Sequence, residues 1–174
     1  TYQHSRNVAL YSAILATAAG LNEDQVKMIY EAGLLHDIGK ISIPENILSK
    51  TGELTEKEYE NMKDHVNNSI DMIRHLPSMD YVIPAAVGHH ERWDGKGYPR
   101  GIAGEDIPIT ARCLAIADAF DAMTTDRPYR KGMSVEYAAE QIESGAGTQF
   151  DPELAELFVR LIRSDELSCV HAKN

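Results

Sequence analysis

Apolar positions recur three and four residues apart along nearly the whole chain, the pattern of helices that bury one face. Val8, Tyr11, Ile14, Leu15 and Ala18 form the first such stripe, which stops at Gly20, a residue suited to a helix C-terminus. Asn22 is placed to cap a second helix, since its side chain can accept from an unpaired backbone N–H, and Glu23 and Asp24 favour the positive end of the helix dipole. That helix carries Val26, Ile29, Tyr30 and Leu34. From Ile41 to Thr51 the periodicity lapses, Pro44 interrupts and Thr51-Gly52 reads as a turn, so a loop is expected. Thr55-Glu56-Lys57-Glu58 has the form of a capping box and opens a helix through His65, Ile70 and Ile73, closed by Pro77. A further helix is predicted from about Met79 to His90, with Pro84 as a local irregularity.

The stretch from Glu91 to Ile107 breaks this rhythm. Gly95, Gly97, Pro99, Gly101 and Gly104 make it a long loop, and loops of such length inside a compact domain are functional or disordered. Asp94-Gly95 is a turn dipeptide, Gly97 permits positive φ, and Pro99 stiffens the residues after it. Pro108 restarts a helix through Leu114, Ala117 and Asp121; Ser134 caps the next, which ends at Gly145. Asp151-Pro152 joins a cap to a proline at the first helical position, opening a last helix to about Arg163. No repeat, low-complexity tract or strand pair is apparent. The reading is all-α: one compact helical domain over residues 1–164, about six or seven helices, and a frayed tail over 165–174.

Composition narrows the chemistry. The 174 residues are 43% hydrophobic and 25% charged, the balance of an ordinary globular domain. Lys plus Arg number 17 against 27 Asp plus Glu, a formal charge of −10, which argues against a duplex nucleic acid partner. Any phosphate chemistry therefore needs a local cation. Cys113 and Cys169 show no metal-binding or redox spacing, so a reducing, cytoplasmic setting is expected. The 16 uncharged residues from Asn7 to Asn22 are too few and too polar for a bilayer span of ~20 residues, and no membrane contact or signal peptide is expected. Thr1 already lies within a helical pattern, and a longer parent chain is the expectation.

Five of the seven histidines occupy unusual positions: His4, His36, His65, His89 and His90. His36-Asp37 follows the apolar run Ala32-Gly33-Leu34-Leu35, His89-His90 follows Val82 to Val87, and Asp118 lies within Cys113-Leu114-Ala115-Ile116-Ala117. An ionised carboxylate in such surroundings is costly unless a cation compensates it. A single histidine near a helix end is ordinarily a cap or a satisfied core group, and His75 and His171 are read so. The combination points instead to metal, and imidazole with carboxylate suits Fe, Mn, Ni or Zn better than Mg or Ca.

These residues carry a resemblance. His36-Asp37-Ile38-Gly39-Lys40, with His89-His90-Glu91-Arg92-Trp93-Asp94-Gly95-Lys96-Gly97-Tyr98-Pro99, is similar to the HD-GYP subgroup of the HD-domain phosphohydrolases. The intervening His65, Asp118-Ala119-Phe120-Asp121-Ala122-Met123, Asp126-Arg127-Pro128-Tyr129-Arg130 and Gly147-Thr148-Gln149-Phe150-Asp151-Pro152 fit as well. The likeness spans about residues 2 to 163 and implies an HD-type helical fold with the Gly-rich loop between two metal-bearing helices.

The resemblance also implies roles. One metal would be held by His4, His36, Asp37 and Asp118, and a second by His65, His89 and His90 with Asp37 bridging. A third metal, found in some members, uses a glutamate one turn before the first histidine; that position would precede Thr1, so two divalent transition ions are expected, iron foremost, with manganese, nickel or zinc as alternatives. Lys40 would meet a phosphate oxygen, Asp121 would pair with Lys40 behind the metals, and Arg127 and Arg130 would grip substrate phosphate. Tyr98 and Pro99 are read as a shaped lid without chemistry of its own, and Trp93 as a core anchor. Val66 and Ser69 stand where the family often has proline and glycine, a difference expected to touch packing rather than ligation.

The implied activity is hydrolysis of cyclic di-GMP to linear pGpG and onward to GMP, by a hydroxide bridging the metals. Implied partners are an upstream sensory or receiver domain and diguanylate cyclase domains, with a homodimer compatible. Two alternatives stay open at this point: an HD-type hydrolase of another nucleotide, and a signalling module that binds a cyclic dinucleotide or a cyclase without cleaving anything.

Overall fold

Tyr11, Phe120 and Phe158 meet edge to face at the centre of the molecule, with ring centroids 5.2 to 6.5 Å apart. Around these rings the apolar faces of helices from both halves of the chain converge. The structure, a computed structural model, describes residues 2–126 and 130–168. Over these residues eight α-helices follow in order: α1 (Tyr2–Ala18), α2 (Glu23–Leu35), α3 (Glu45–Leu48), α4 (Glu56–Arg74), α5 (Ile83–Gly88), α6 (Ile109–Thr124), α7 (Val135–Ser144) and α8 (Pro152–Arg163). Among the described residues there is no strand, and an isolated bridge joins Ala146 to Phe150. The all-α expectation holds.

The helix starts lie where local chemistry predicts them. Asn22 caps α2 in a box with Gln25, and Thr55 caps α4 in a box with Glu58. Ser134 accepts from the Tyr137 N–H at the head of α7, and Asp151 accepts from Glu153 and Leu154 at the head of α8. Each device satisfies backbone donors that the first turn leaves unpaired.

Four expectations change. The loop expected from Ile41 to Thr51 contains the one-turn helix α3, with Pro44 at its N-cap, where a missing N–H is harmless. Pro84 does not disturb a long helix: a short 3-10 turn at Asp80–Val82 precedes it and the proline sits in the first turn of α5. Gly97 is not among the positive-φ residues, whereas Gly95, Gly101 and Gly104 are. Its need for glycine is steric, since a Cβ there would lie 2.5 Å from the Arg92 nitrogen and the His90 oxygen. Leu167, in the segment expected to fray, is 2% exposed and joins the core.

One backbone contact aligns α2 with α4. After α2 the chain makes a 3-10 turn at Ile38–Ser42 that lies against α4. A Cβ at Gly39 would fall 2.1 Å from the His65 carbonyl oxygen and 2.4 Å from the Ser69 nitrogen, so only glycine lets the two backbones meet. Gly39→Ala is expected to lower stability by about 3 kcal/mol or more, since overpacking a fixed backbone is at the upper end of small-to-large changes. Urea denaturation would read this as a lower midpoint at unchanged slope.

Candidate metal centre

Three helices and the two segments that follow α2 and α5 deliver polar side chains to one place. His4 comes from α1, His36 caps the C-terminus of α2 and Asp37 follows it. His65 projects from α4, His89 and His90 end α5, and Asp118 and Asp121 lie on α6. Ligand-type atoms of Asp37, His65, His89 and His90 lie within 4.8 Å of one another, as do those of His4, His36 and Asp118. All seven residues that the resemblance offered as ligands thus fall into two adjoining groups.

Asp37 stands between the groups. Its Oδ2 is 3.4 Å from His36 Nε2 and 3.7 Å from His4 Nε2, whereas its Oδ1 is 3.4 Å from His65 Nε2. Asp118 Oδ1 closes the first group at 3.2 Å from His4 Nε2 and 3.7 Å from His36 Nε2. In the second group the Nε2 atoms of His65 and His90 face each other at 3.1 Å.

Backbone tethers decide which nitrogen faces inward. His36 Nδ1 donates to the Gly33 oxygen at 2.7 Å, His65 Nδ1 to the Met62 oxygen at 2.6 Å, and His89 Nδ1 to the Ala86 oxygen. Each tether runs back three residues along its own helix. With the proton fixed on Nδ1, the Nε2 lone pair is left for a ligand, the usual arrangement of a metal-binding imidazole. His36 Nε2, His89 Nε2 and Asp37 Oδ1 are buried without a hydrogen-bond partner among the described residues. Such orphaned groups are expensive inside a protein, and a cation in each of the two groups would satisfy all three.

Electrostatics divides the groups. Burial works against a charge on His4, yet the neighbouring carboxylates of Asp118, Asp121 and Asp37 prevail and push it up to about 10. Burial likewise opposes a charged His36, which the negative charges of Asp37 and Asp118 raise to about 9. Asp37 and Asp118 resist their own burial through His36 and His4 and stay well below the usual carboxylate range. In the second group burial dominates: His89 is driven well down, His90 falls to about 4, and His65 is lowered too. One group therefore demands positive charge and the other offers neutral nitrogen donors. The donor set and its orphaned atoms form a His/Asp cluster able to bind metal.

The remaining predicted residues fall in different places. Asp121 is 1% exposed and does not pair with Lys40. It accepts from His4 Nδ1 at 2.7 Å, from Asn7 Nδ2 at 2.8 Å and from Thr125 Oγ1 at 3.0 Å. Asp121 lies under α1, so it orients His4, while the Lys40 ammonium is taken by Asp37, three residues back. Arg130 is exposed and donates to the Ala122 oxygen at 2.5 Å, a contact at the end of α6. Arg127 lies outside the described residues. Trp93 is half-buried, with the Arg112 guanidinium 5.7 Å from its ring centroid, so it is not a full core anchor.

Sequence reading missed several supports. Ser69, expected to affect packing alone, accepts from the Gly39 N–H at 2.8 Å and donates to the His36 oxygen at 3.1 Å, clamping the turn that carries Asp37. Asn7 is buried and holds Asp121; its signal was a polar residue three after His4 on one helix face. Tyr98 stacks on His90 with centroids 4.7 Å apart, so the lid reaches the cluster directly. A cavity of about 350 Å³ opens beside the cluster, lined by His89, His90, Asp118, Glu91, Tyr98 and Tyr59 among others.

Asp121→Asn keeps shape but changes the acceptor opposite His4 Nδ1 from charged to neutral. Metal affinity is expected to fall about 10- to 100-fold, measured by competition with a chromophoric chelator. Ser69→Ala leaves the Gly39 N–H unpaired in a buried place and is expected to cost about 1–3 kcal/mol, read from thermal unfolding.

Comparison with known proteins accords with this geometry. Residues 1–154 match the family model described as HD domain. A cyclic di-GMP phosphodiesterase of Thermotoga maritima is 42% identical over 163 residues, covering 92% of this chain and 44% of the relative. A 3'3'-cGAMP-specific phosphodiesterase 2 of Vibrio cholerae is 40% identical over 161 residues, covering 91% of this chain and 31% of the relative. A solved structure of a cyclic GMP-AMP phosphodiesterase from V. cholerae superimposes with a TM-score of 0.74 at 20% identity, covering 95% of this chain and 45% of that one. The chain thus spans less than half the length of these proteins. With its family model matched across most of its length and its fold shared, the chain belongs to the HD domain family.

Proposed function

We propose that this chain is a metal-dependent phosphodiesterase that hydrolyses cyclic di-GMP to linear pGpG and then to GMP. The observation that carries the reading is Asp37, whose two oxygens face two separate groups of imidazoles. That arrangement favours two divalent transition ions, iron foremost and manganese, nickel or zinc as alternatives, with His4, His36, Asp37 and Asp118 around one and His65, His89, His90 and Asp37 around the other. When bound, such ions supply Lewis acidity, making water a better nucleophile and offsetting charge that builds on the phosphate oxygens. The chain's own groups do the rest. Backbone tethers on His36, His65 and His89 hold their Nε2 atoms inward, and Asp121 fixes the ring of His4. Lys40, 40% exposed beside Asp37, provides an ammonium for a phosphate oxygen, and Arg127 and Arg130 add cations from the segment after α6.

Relatives named as cyclic di-GMP phosphodiesterases, from T. maritima and from Pseudomonas aeruginosa at 39% identity, support this substrate. Three relatives from V. cholerae are named as specific for 3'3'-cGAMP, which favours that dinucleotide as the second reading. The proposal includes cytoplasmic placement, a regulatory domain upstream and diguanylate cyclase partners. No helix among the described residues is long and apolar enough to cross a membrane.

Protein purified without oxygen and analysed for metal is expected to cleave cyclic di-GMP faster than 3'3'-cGAMP in a chromatographic assay. Chelation should stop turnover and lower the unfolding temperature, because a ligand bound to the folded state stabilises it. His36→Ala and Asp37→Ala should lose metal and turnover together. Full activity in a metal-free Asp37→Ala protein would falsify the mechanism, and preference for 3'3'-cGAMP would move the chain to the second reading.

A further inference from the structure

Tyr59 on α4 is 48% exposed although its ring is large and apolar. The buried face of its helix is made by His65, Val66, Ser69 and Ile73, so Tyr59 does not serve the core. It lies instead on the wall of the cavity beside the histidine cluster. Its ring meets Tyr98 nearly at right angles, 81° at 6.4 Å between centroids. Tyr98 in turn stacks on His90 at 19° and 4.7 Å. Three rings thus run in a row from the cluster outward, with Tyr59 outermost.

Lys63, one turn along α4 from Tyr59, spans the corner between the two tyrosines. Its Nζ is 5.2 Å from the Tyr59 centroid and 5.8 Å from that of Tyr98, and it pairs with Glu60 at 2.6 Å. Residues four apart share a helix face, and a cation over both rings braces them at small cost. The result is an aromatic corner in the wall of the cavity that also holds His89, His90 and Asp118. Flat heteroaromatic rings are what such a corner receives, because stacking on an aromatic face needs no base-specific hydrogen bond.

We propose that Tyr59, supported by Tyr98 and Lys63, is the stacking platform for a purine base of the nucleotide substrate. This deepens the reading of nucleotide hydrolysis and rests on it for the position of the phosphate. Platform and cluster act as two grips on one ligand: the base stacks at the rim while its phosphate reaches the histidines.

Calorimetric binding to manganese-loaded protein tests it, with GMP as the probe and ribose 5-phosphate as its base-free counterpart. In the wild type GMP should bind the tighter of the two. Tyr59→Ala should shrink the ratio of the two dissociation constants by about tenfold or more, the range set by loss of one base–aromatic stack. Tyr59→Phe, which keeps the ring, should restore the ratio. The platform is wrong if the ratio is unchanged in Tyr59→Ala, if Tyr59→Phe behaves like the alanine variant, or if the wild type shows no preference for GMP. Failure of the parent reading looks different: the wild type would then leave cyclic di-GMP uncleaved while the binding ratio still responded to Tyr59→Ala.

Discussion

A carboxylate buried among imidazoles governs this structure. Asp37 is 10% exposed in its side chain, lies within 3.7 Å of three histidine nitrogens and carries one oxygen with no hydrogen-bond partner among the described residues. An isolated charge in such a place would be strongly destabilising. The surroundings answer it in layers: charged His4 and His36 on one side, Lys40 at the edge, and neutral His65, His89 and His90 on the other. Protons and lysine offset the negative charge without satisfying every oxygen and nitrogen. The geometry is therefore more complete for cations than for protons, and binding them should release protons from the first group.

Backbone geometry carries this electrostatic design. Asp37 follows the last turn of α2, where the chain must leave the helix and pass α4 at once. Gly39 permits the approach, and Ser69 joins the two segments with one accepted and one donated hydrogen bond. Either contact alone would hold a turn; together they fix its height relative to His65, one helical turn before Ser69. A shift of a few tenths of an ångström there would move Asp37 relative to both groups of histidines. The stability of the turn and the geometry of the site are one property.

Much of this was legible in the sequence because it rested on local rules. Caps at Asn22, Thr55, Ser134 and Asp151 depend on residues three or fewer positions away. The cluster was legible because histidine and aspartate beside apolar runs conflict with burial unless something compensates them. What could not be read depended on distant partners. Asp121 sits three residues from Asp118, but its partners His4 and Asn7 are more than a hundred residues away, and Lys40 was nearer to Asp37 than any spacing argument from Asp121 could tell. Ser69 looked like a packing variant because its role depends on the backbone of another helix. Gly97 was read as a conformational glycine, whereas the close approach of Arg92 and His90 explains it.

An acidic chain proposed to act on a phosphodiester poses a problem of range. The formal charge of −10 is spread over the surface, and at physiological salt charges separated by more than about 8 Å are largely screened. A substrate at the cavity therefore responds to the nearest groups, not to the total. Those groups are of both signs: Glu91 and Asp118 line the cavity, and the nearest cations are lysines. Lys96 lines the cavity, Lys63 sits over its aromatic corner and Lys40 lies beside Asp37. Arg92, also at the cavity, is held by Asp94 in a two-point contact at 2.8 and 3.0 Å, so it shapes the loop more than it attracts an anion. Bound cations would add to this local positive field, focused by the low-dielectric walls of the cleft. On the proposed function, a small phosphodiester inside the cleft would meet these lysines and the bound cations rather than the net charge of the chain.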